Sequence, residues 1–382
     1  MSKNNNYPTI SVGDILRPTI VEVNISRLRE NFEAIKAKVG ASKIMPILKA
    51  NAYGHGLVQT ARLMEEFGAD YLGVAVLEEG VLLRELGIRL PILVLGGIIG
   101  NQIPLFIEND LTITASSPDK IKQINETAEQ LNKKAKVHLK IDTGLERIGV
   151  HYYSSEKFIE EALKCKWLEV EGIYSHFASS YSSDKSYTNL QLERFNDVLE
   201  YFEKNSLKPP IRHIANSGAI LQHKDSYFDL VRPGIMCYGV YPSEDVERSV
   251  RVLPTLSWKS RVVYFKVIKP NHPVGYDSTW QSDHNVRAVT VPVGYGDGYF
   301  RSMHKSAQVI IRGKRYPIIG GIAMDQIIVN IENDSAFNND EVCLIGNDGN
   351  ERISVEELAN WAGTIPYEIL TNINTRVPRV YY

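Results

Sequence analysis

The stretch KIMPILKANAYGHG, residues 43–56, decides the fold class of this chain. It opens with a short apolar run that is typical of a buried strand, and LVQTARLMEEFG (57–68) follows with apolar residues at helical spacing. A doubly wound open sheet normally has a glycine-rich GxGxxG turn between its first strand and first helix. The turn KANAYGHG lacks that pattern, so the open sheet is the second choice among the parallel folds.

The alternation of strand-like and helix-like segments continues over the first two-thirds of the chain. Eight strands, each followed by a helix candidate, are the number that closes a TIM (β/α)8 barrel. We therefore predict an α/β protein with such a barrel over residues 12–245. The strand candidates are KIMPILK (43–49), YLGVAV (71–76), PILVL (91–95), LTITA (111–115), KVHLKID (136–142), LEVEGIYSHF (168–177), IRHIAN (211–216) and FDLVRP (228–233).

The pattern changes after about residue 245. Short strand-like runs separated by turn signals replace the alternation, as in AQVIIRGKRYPIIGG (307–321) and DEVCLIGNDGN (340–350). No long amphipathic segment returns until ISVEELANWAG (353–363). These features predict a second, mainly β domain over residues 246–382.

The composition excludes several classes of protein. The chain has 382 residues, with 43 Lys and Arg against 45 Asp and Glu, so it lacks the basic excess of a nucleic-acid-binding protein. Its three cysteines are widely spaced and its nine histidines are scattered, which argues against a disulfide framework and a metal site. No apolar run is long enough to span a membrane, and no signal peptide is recognisable. We expect a cytoplasmic protein without metal, nucleic-acid partner or membrane association.

Polar side chains recur where the predicted barrel strands end. Lys49, Lys140, Asp142, His176 and Arg232 all stand at or just past such ends, as do His213 and Asn216. Catalytic residues of a TIM barrel come from this rim. A single lysine there is usually solvated or ion-paired, but several polar residues on an otherwise apolar set of strands predict an enzyme whose reaction stays open.

A series of motifs in order along the chain resembles the alanine racemase family of pyridoxal-phosphate enzymes (fold type III). The resemblance begins with KANAYGHG (49–56) and spans nearly the whole chain. It implies the barrel and β domain already predicted, with residues 1–11 joining the β domain. The other matching motifs are HLKIDTGLERIG (138–149), GIYSHFASS (172–180), HIANSGAIL (213–221), VRPGIMCYGVYPS (231–243), VGYDSTW (274–280), VPVGYGDGYFR (291–301), IIGGIAMDQ (318–326) and YEILTNINTRVPRVY (367–381).

The resemblance implies a two-base racemisation of alanine. Lys49 matches the lysine that forms an imine with pyridoxal 5′-phosphate and serves the D-enantiomer, and Tyr276 matches the tyrosine that serves the L-enantiomer. Two groups are needed because the proton leaves one face of Cα and returns to the other. The family forms homodimers in which the β domain of one subunit completes the partner's barrel site, and it supplies D-alanine for peptidoglycan.

Further roles follow from the same resemblance. Arg147, with Met324 and Asp325, matches the contacts to the substrate carboxylate. Lys140 matches a lysine that is often carbamylated. Tyr295 and Tyr367 match tyrosines that narrow the entrance. Together with Lys49, the residues that match the family's cofactor contacts are Tyr53, His176, Asn216, Ser217, Arg232, Gly234 and Ile235.

Four positions depart from the family pattern, and three other functions stay open. Glu146 and Asp277 stand where the family commonly has glycine, Trp280 stands where it often has tyrosine, and Ala323 replaces the more usual cysteine. A racemase of serine or of broader range would keep every motif. A barrel decarboxylase of basic amino acids would need a catalytic cysteine beside acidic residues, which this sequence lacks. A pyridoxal-phosphate carrier protein would be a lone barrel, and the additional residues 246–382 argue against it.

Overall fold

The computed structural model describes residues 16–382 and divides into two compact units. The barrel unit is residues 27–253, and the β unit is residues 16–26 with 254–382. The expected barrel, 12–245, thus begins and ends later than its sequence pattern indicates. The expectation for residues 1–11 lies outside the described residues.

The described chain contains nineteen strands, which alternate with helices over most of the barrel unit and follow one another without an α-helix from β11 to β18. The strands are β1 (Ile20–Val23), β2 (Lys43–Ile44), β3 (Leu72–Val74), β4 (Ile92–Val94), β5 (Thr112–Ala115), β6 (Ala135–Asp142), β7 (Val150–His151), β8 (Leu168–Tyr174), β9 (Ile211–His213), β10 (Leu230–Val231), β11 (Leu256–Arg261), β12 (Tyr264–Ile268), β13 (Val286–Val291), β14 (Gln308–Ile311), β15 (Lys314–Ile319), β16 (Ile327–Glu332), β17 (Glu341–Asp348), β18 (Glu351–Ile353) and β19 (Arg379–Tyr381).

The helical segments are fewer, and most of them lie in the barrel unit. They are α1 (Ile25–Val39), α2 (Lys49–Tyr53), α3 (Leu57–Phe67), α4 (Leu77–Glu85), α5 (Ile103–Glu108), α6 (Pro118–Gln130), α7 (Ser155–Lys164), α8 (Ser186–Lys204), α9 (Ser217–Gln222), α10 (Val355–Ala362) and α11 (Pro366–Asn372). The short segment α2 is a left-handed turn rather than an ordinary helix.

Eight parallel strands close the barrel, which confirms the predicted fold class. Strands β3, β4, β5, β6, β8 and β9 pair in that order, and β10 pairs with β2. Two isolated parallel bridges join these groups: Ile47 with Gly73 after β2, and Asn216 with Arg232 after β9. The strands are buried almost throughout, with every residue of β3, β4 and β5 inaccessible to solvent. A parallel barrel covered by helices requires this, since neither face of its sheet meets water.

Local signals in the sequence set the ends of the barrel helices. The side chain of Ser117 accepts a hydrogen bond from the Lys120 N–H at 3.2 Å and caps α6, whose first residue is a proline. Gly68 ends α3 in the left-handed conformation. Apolar residues at helical spacing then face the strands, with Ala61 and Met64 of α3 fully buried.

The β unit is built on one long, mostly antiparallel sheet. Its strand order is β12, β13, β16, β15, β14, β17, β11, β1 and β19, with β18 paired to β17. Strand β1 pairs antiparallel with β11 and parallel with β19. This long-range pairing places residues 16–26 in the β unit, and local sequence periodicity carries no sign of it. The helix α10 begins with a capping box between Ser354 and Glu357.

The helices of residues 16–382 include none with the length and apolar character required to cross a membrane.

Candidate active site

The polar residues singled out at the strand ends meet at one rim of the barrel unit. Lys49 follows β2, Lys140 ends β6, and Arg232 follows β10. The charges of all three, together with that of Arg147, act on the imidazole of His176. The barrel topology therefore gathers side chains that are far apart in sequence into one cationic cluster.

Arg232 is the most deeply buried charge of this cluster, with 2% of its surface exposed. Its guanidinium donates to His213 Nδ1 at 2.8 Å and to His176 Nδ1 at 3.2 Å. It also donates to the backbone oxygens of Ser175 at 2.7 Å and Ile214 at 3.1 Å. All four acceptors are neutral groups. A buried charge is costly without an anionic or strongly accepting partner, so this guanidinium is suited to an acceptor from a bound molecule.

A pair of buried histidines lies behind Arg232. His213 Nε2 is 2.8 Å from His138 Nδ1. A guanidinium can only donate, so His213 Nδ1 must accept, His213 Nε2 must carry the proton, and His138 Nδ1 must accept that proton in turn. Burial and the charge of Arg232 lower the pKa of His138 to about 3 and that of His213 well below its usual range. Both imidazoles are therefore neutral, with a single arrangement of protons.

The two lysines of the cluster have depressed pKa values. Burial and the charge of Arg232 lower the pKa of Lys140 to about 7, and its Nζ donates to the Ile141 carbonyl at 2.9 Å. Lys49 is open to solvent on one side of the isolated chain. The amine is nevertheless partly buried, and this burial, together with the charge of Arg147, lowers the pKa of Lys49. A lowered pKa leaves more of each amine neutral and hence nucleophilic.

Asp142 organises the loop that carries Arg147. Its Oδ1 accepts the N–H groups of Gly144 at 2.7 Å and Leu145 at 2.9 Å, and its Oδ2 accepts that of Arg147 at 3.2 Å. Partial burial opposes ionisation, but these backbone donors outweigh it and lower the pKa of Asp142. The carboxylate is thus charged and holds the loop in one conformation.

Glu146 in this loop has the left-handed backbone conformation, with φ at 55°. Glycine enters that region without strain. The departure from the family's glycine therefore leaves the backbone in the conformation that a glycine would favour. The Glu146 side chain points to the surface, where it pairs with His151 Nε2 at 2.8 Å.

A second group of cofactor-matching residues meets between β9 and β10. The Ser217 hydroxyl accepts the Gly234 N–H at 2.9 Å, directly before the short turn Ile235–Tyr238. A Cβ added to Gly234 would meet the Tyr53 hydroxyl at 2.7 Å, so this glycine lets the phenol approach the backbone. Asn216 caps α9 by accepting the Ala219 N–H at 3.1 Å. Hydroxyls and backbone N–H groups of this kind suit a phosphate.

The segment with Met324 and Asp325 is fixed within the β unit. The N–H of Tyr295 donates to the Ala323 carbonyl at 3.0 Å, and the N–H of Gly296 donates to that of Met324 at 2.9 Å. Arg376 connects Asp325, at 2.7 Å, with the fully buried Asp297, also at 2.7 Å. Tyr295 and Met324 are thereby neighbours. Tyr367 lies half-buried on α11.

Tyr276 lies in a tight turn of the β unit between Val274 and Trp280, which form an isolated bridge. Its side chain is 70% exposed in the single chain. Asp277, the second departure from the family's glycine, has φ at 59° and so also adopts the left-handed conformation. Its carboxylate is 4.0 Å from the Arg301 guanidinium.

Comparison with known proteins agrees with this geometry. A family model described as "Alanine racemase, N-terminal domain" matches residues 23–242, and one described as "Alanine racemase, C-terminal domain" matches residues 255–381. The chain belongs to the alanine racemase family. An alanine racemase from Carboxydothermus hydrogenoformans is 44% identical over 368 residues, which are 96% of this chain and 100% of that protein.

Solved structures show the same fold in racemases with different names. The structure of an alanine racemase from Clostridium difficile matches with a TM-score of 0.92 and 37% identity, covering 96% of both chains. That of a histidine racemase from Leuconostoc mesenteroides matches with a TM-score of 0.88 and 29% identity, covering 96% of this chain and 98% of that one. The fold alone therefore does not decide between amino-acid substrates.

The family depends on pyridoxal 5′-phosphate, and the residues of the barrel unit fit this cofactor. Lys49 provides an amine with a lowered pKa for its aldehyde. Arg232 provides a buried donor whose present acceptors are all neutral, which suits a ring nitrogen. The hydroxyls of Tyr53 and Ser217, which meet beside Gly234, are the groups that would hold its phosphate.

The sequence indicated no role for His138 and placed His213 only at a strand end. The available signal was a histidine in each of two strands of the same sheet, at His138 of β6 and at His213, the last residue of β9. Gly172 is the corresponding signal on the neighbouring strand, since a Cβ there would lie 2.5 Å from the His138 ring.

The conformation of Glu146 generates a stability prediction. We expect Glu146→Gly to be more stable than Glu146→Ala by about 1 kcal/mol, because only glycine is unstrained at positive φ. Urea unfolding of the two variants measures this difference. The matched control is Glu33 on the exposed side of α1, where alanine should be the more stable residue by about 1 kcal/mol. Equal stability of the two Glu146 variants would contradict the strain argument.

Proposed function

We propose that this chain interconverts L-alanine and D-alanine with pyridoxal 5′-phosphate bound through Lys49. The proposal rests mainly on the surroundings of Arg232. This buried side chain donates hydrogen bonds and has no carboxylate among its described contacts. The cofactor, when bound, withdraws electrons from Cα and so makes its proton removable. An arginine cannot readily give a proton to the cofactor ring, whereas an aspartic or glutamic acid can. Weaker electron withdrawal favours prompt return of the proton to Cα over side reactions.

Once the substrate amine has displaced it from the cofactor, Lys49 would act as the base on one face of Cα in this proposal. An amine can take a proton only when it is neutral, and the lowered pKa of Lys49 increases its neutral fraction near pH 7. In the reverse direction the protonated amine donates to that face, after the group on the opposite face has taken the proton. The family resemblance assigns the face of the D-enantiomer to Lys49.

Tyr276 of the partner subunit acts on the opposite face. Support comes from its high exposure in the single chain and from the family motif around it. His176 accepts from Arg232 at Nδ1 and is neutral because of burial and the surrounding positive charges, so its Nε2 carries a proton. We propose that this N–H donates to the Tyr276 oxygen of the partner and stabilises its phenolate. A homodimer is therefore part of the proposal.

The substrate is held by its carboxylate. Arg147 is fixed through its backbone by Asp142 and provides the bidentate donor that a carboxylate favours. Met324 and Asp325 of the partner subunit would complete this contact, on a segment that Tyr295 and Arg376 hold in place. Tyr295 and Tyr367 would narrow the entrance and exclude large side chains. A hydroxyl is harder to reject than a larger group, so serine is the expected second substrate.

The function is tested by chiral analysis of products from purified protein with cofactor and, separately, L-alanine, L-serine, L-lysine and L-histidine. We expect D-alanine to form fastest, and Lys49→Ala to lose at least about a thousandfold in rate. Lys36→Ala, on the exposed side of α1, is the control and should retain the wild-type rate. The chain should also restore growth of a bacterium that requires D-alanine for peptidoglycan, as expected of a cytoplasmic racemase. D-histidine or D-lysine as the main product would overturn the substrate assignment.

Tyr276→Phe should separate the two faces of the reaction. Racemisation should fall by about 10²- to 10⁴-fold, because one of the two acid–base groups is lost. D-alanine should still exchange its Cα proton with deuterium oxide through Lys49, whereas L-alanine should not. Proton NMR measures both exchange rates. Tyr264→Phe, an exposed tyrosine of β12, is the control. Undiminished exchange from L-alanine would exclude Tyr276 as the second base.

Lys140 is proposed to carry a carbamate. Its pKa of about 7 leaves much of the buried amine neutral, and a neutral amine adds to carbon dioxide, forming an N–C bond and releasing one proton. The carbamate carries −1 and would attract Arg147. Isotopically labelled bicarbonate should label the chain but not Lys140→Gln, and the labelling should decline as the pH falls below about 7. Equal labelling of both proteins would contradict the proposal.

A further inference from the structure

The chain takes an unusual path immediately after Lys49. Ala50, Asn51, Ala52 and Tyr53 have φ angles of 53°, 56°, 52° and 50°, so four consecutive residues other than glycine are left-handed. Such a conformation is unfavourable for L-amino acids, because Cβ comes too close to the following carbonyl oxygen. Strain of this kind persists only where the surrounding structure holds it. The contacts that hold this turn therefore also fix the backbone that carries Lys49.

Most of these contacts are made within the turn. The Ala52 N–H donates to the Leu48 carbonyl at 2.7 Å, and the Gly56 N–H donates to that of Asn51 at 2.9 Å. The Asn51 side chain accepts the Leu57 N–H at 2.8 Å and connects the turn to α3. The Ala50 N–H, next to Lys49, instead donates to a side chain 29 residues away, the Oε1 of Glu79, at 2.7 Å.

Glu79 connects two segments of backbone through its two carboxylate oxygens. While Oε1 accepts from Ala50, Oε2 accepts the Ala75 N–H at 2.8 Å, just after β3. A glutamate in the first turn of a helix often accepts an N–H that precedes the helix, and the bond to Ala75 is of that kind. The bond to Ala50 is not a helix-capping bond, because Ala50 is 29 residues from Glu79 and does not directly precede α4. The half-buried carboxylate thus joins the end of β3 to the turn of Lys49.

The charge of Glu79 acts on Lys49 as well. Burial and Arg147 lower the pKa of the Lys49 amine, and Glu79 opposes them as the anion that raises it. Loss of this charge would lower the pKa of Lys49 further. Glu79 therefore connects the geometry of the turn with the protonation of the amine.

We propose that Glu79 is a positioning residue for Lys49, whose carboxylate holds the strained turn through Ala50 and Ala75. The inference rests on the proposed role of Lys49 but concerns a residue that neither touches substrate nor belongs to any of the motifs above. Both carboxylate oxygens are needed. A glutamine of the same shape offers only one acceptor and no charge.

The test compares Glu79→Gln and Glu79→Ala with Glu78→Gln, its exposed neighbour on α4. Hydrogen exchange of the full-length holoenzyme is followed by mass spectrometry on peptides that contain Ala50 and Ala75. Glu79→Ala should speed exchange in both peptides by roughly tenfold, the equivalent of one lost hydrogen bond to a charged group. Glu79→Gln should speed it in one of them, and Glu78→Gln in neither.

A second measurement separates positioning from a merely structural tie. The rate of reductive methylation of Lys49 is followed against pH in the full chain freed of cofactor, since only the neutral amine reacts. In Glu79→Gln the profile should shift to lower pH, because the pKa-raising charge is gone. Faster hydrogen exchange without this shift in the pH profile would show that Glu79 makes only a structural contact, and would overturn the proposal. Unchanged hydrogen exchange in the Glu79 variants would also overturn it. The proposed function is tested separately: a Lys49→Ala variant that still racemises alanine would refute it. The hydrogen-exchange results on the Glu79 variants do not depend on that outcome.

Discussion

The buried guanidinium of Arg232 is the constraint on which the rest of the barrel site depends. Its charge has no carboxylate among its described partners, so every group around it must accept or be neutral. This requirement fixes the proton positions of His213 and His138 and keeps His176 uncharged. Burial, and after it the charge of Arg232, lower the pKa of Lys140 as they do those of the three histidines. Burial and this one charge together therefore favour the neutral forms of four neighbours.

The cationic cluster has a consequence for the ligands it can hold. Four positively charged side chains lie near one another: Arg232, Arg147, Lys49 and Lys140. The carboxylate of Asp142 accepts backbone N–H groups of its own loop. Such a cluster favours anions, because each one that enters relieves repulsion among the positive charges. An amino-acid carboxylate and a lysine carbamate are both anions. The proposed substrate and modification are thus consistent with a single electrostatic cause.

The sequence predicted the barrel because its signals are local and repeated eight times. The start of the β unit depends on pairing of β1 with β11 and β19, contacts between distant residues that leave no local periodicity. The motifs located the residues of the rim, yet they did not show that His138 on β6 contacts His213 on β9 across the intervening strand β8. The family resemblance likewise could not give the backbone at Glu146 and Asp277, where the family commonly has glycine. Both residues have left-handed φ angles, a region that glycine enters without strain.

The arrangement behind Arg232 also bears on why a proton would return to Cα. The pKa of Arg232 is lowered by burial to about 10, so the guanidinium stays charged near pH 7. Its neighbour His213 already accepts a hydrogen bond at Nδ1 and has a strongly depressed pKa, so it is a poor acceptor for a proton from Arg232. Neither group can readily deliver a proton to a cofactor ring held by Arg232. In the proposed reaction the acid–base groups beside Cα, rather than those beside the ring, therefore govern where the proton goes.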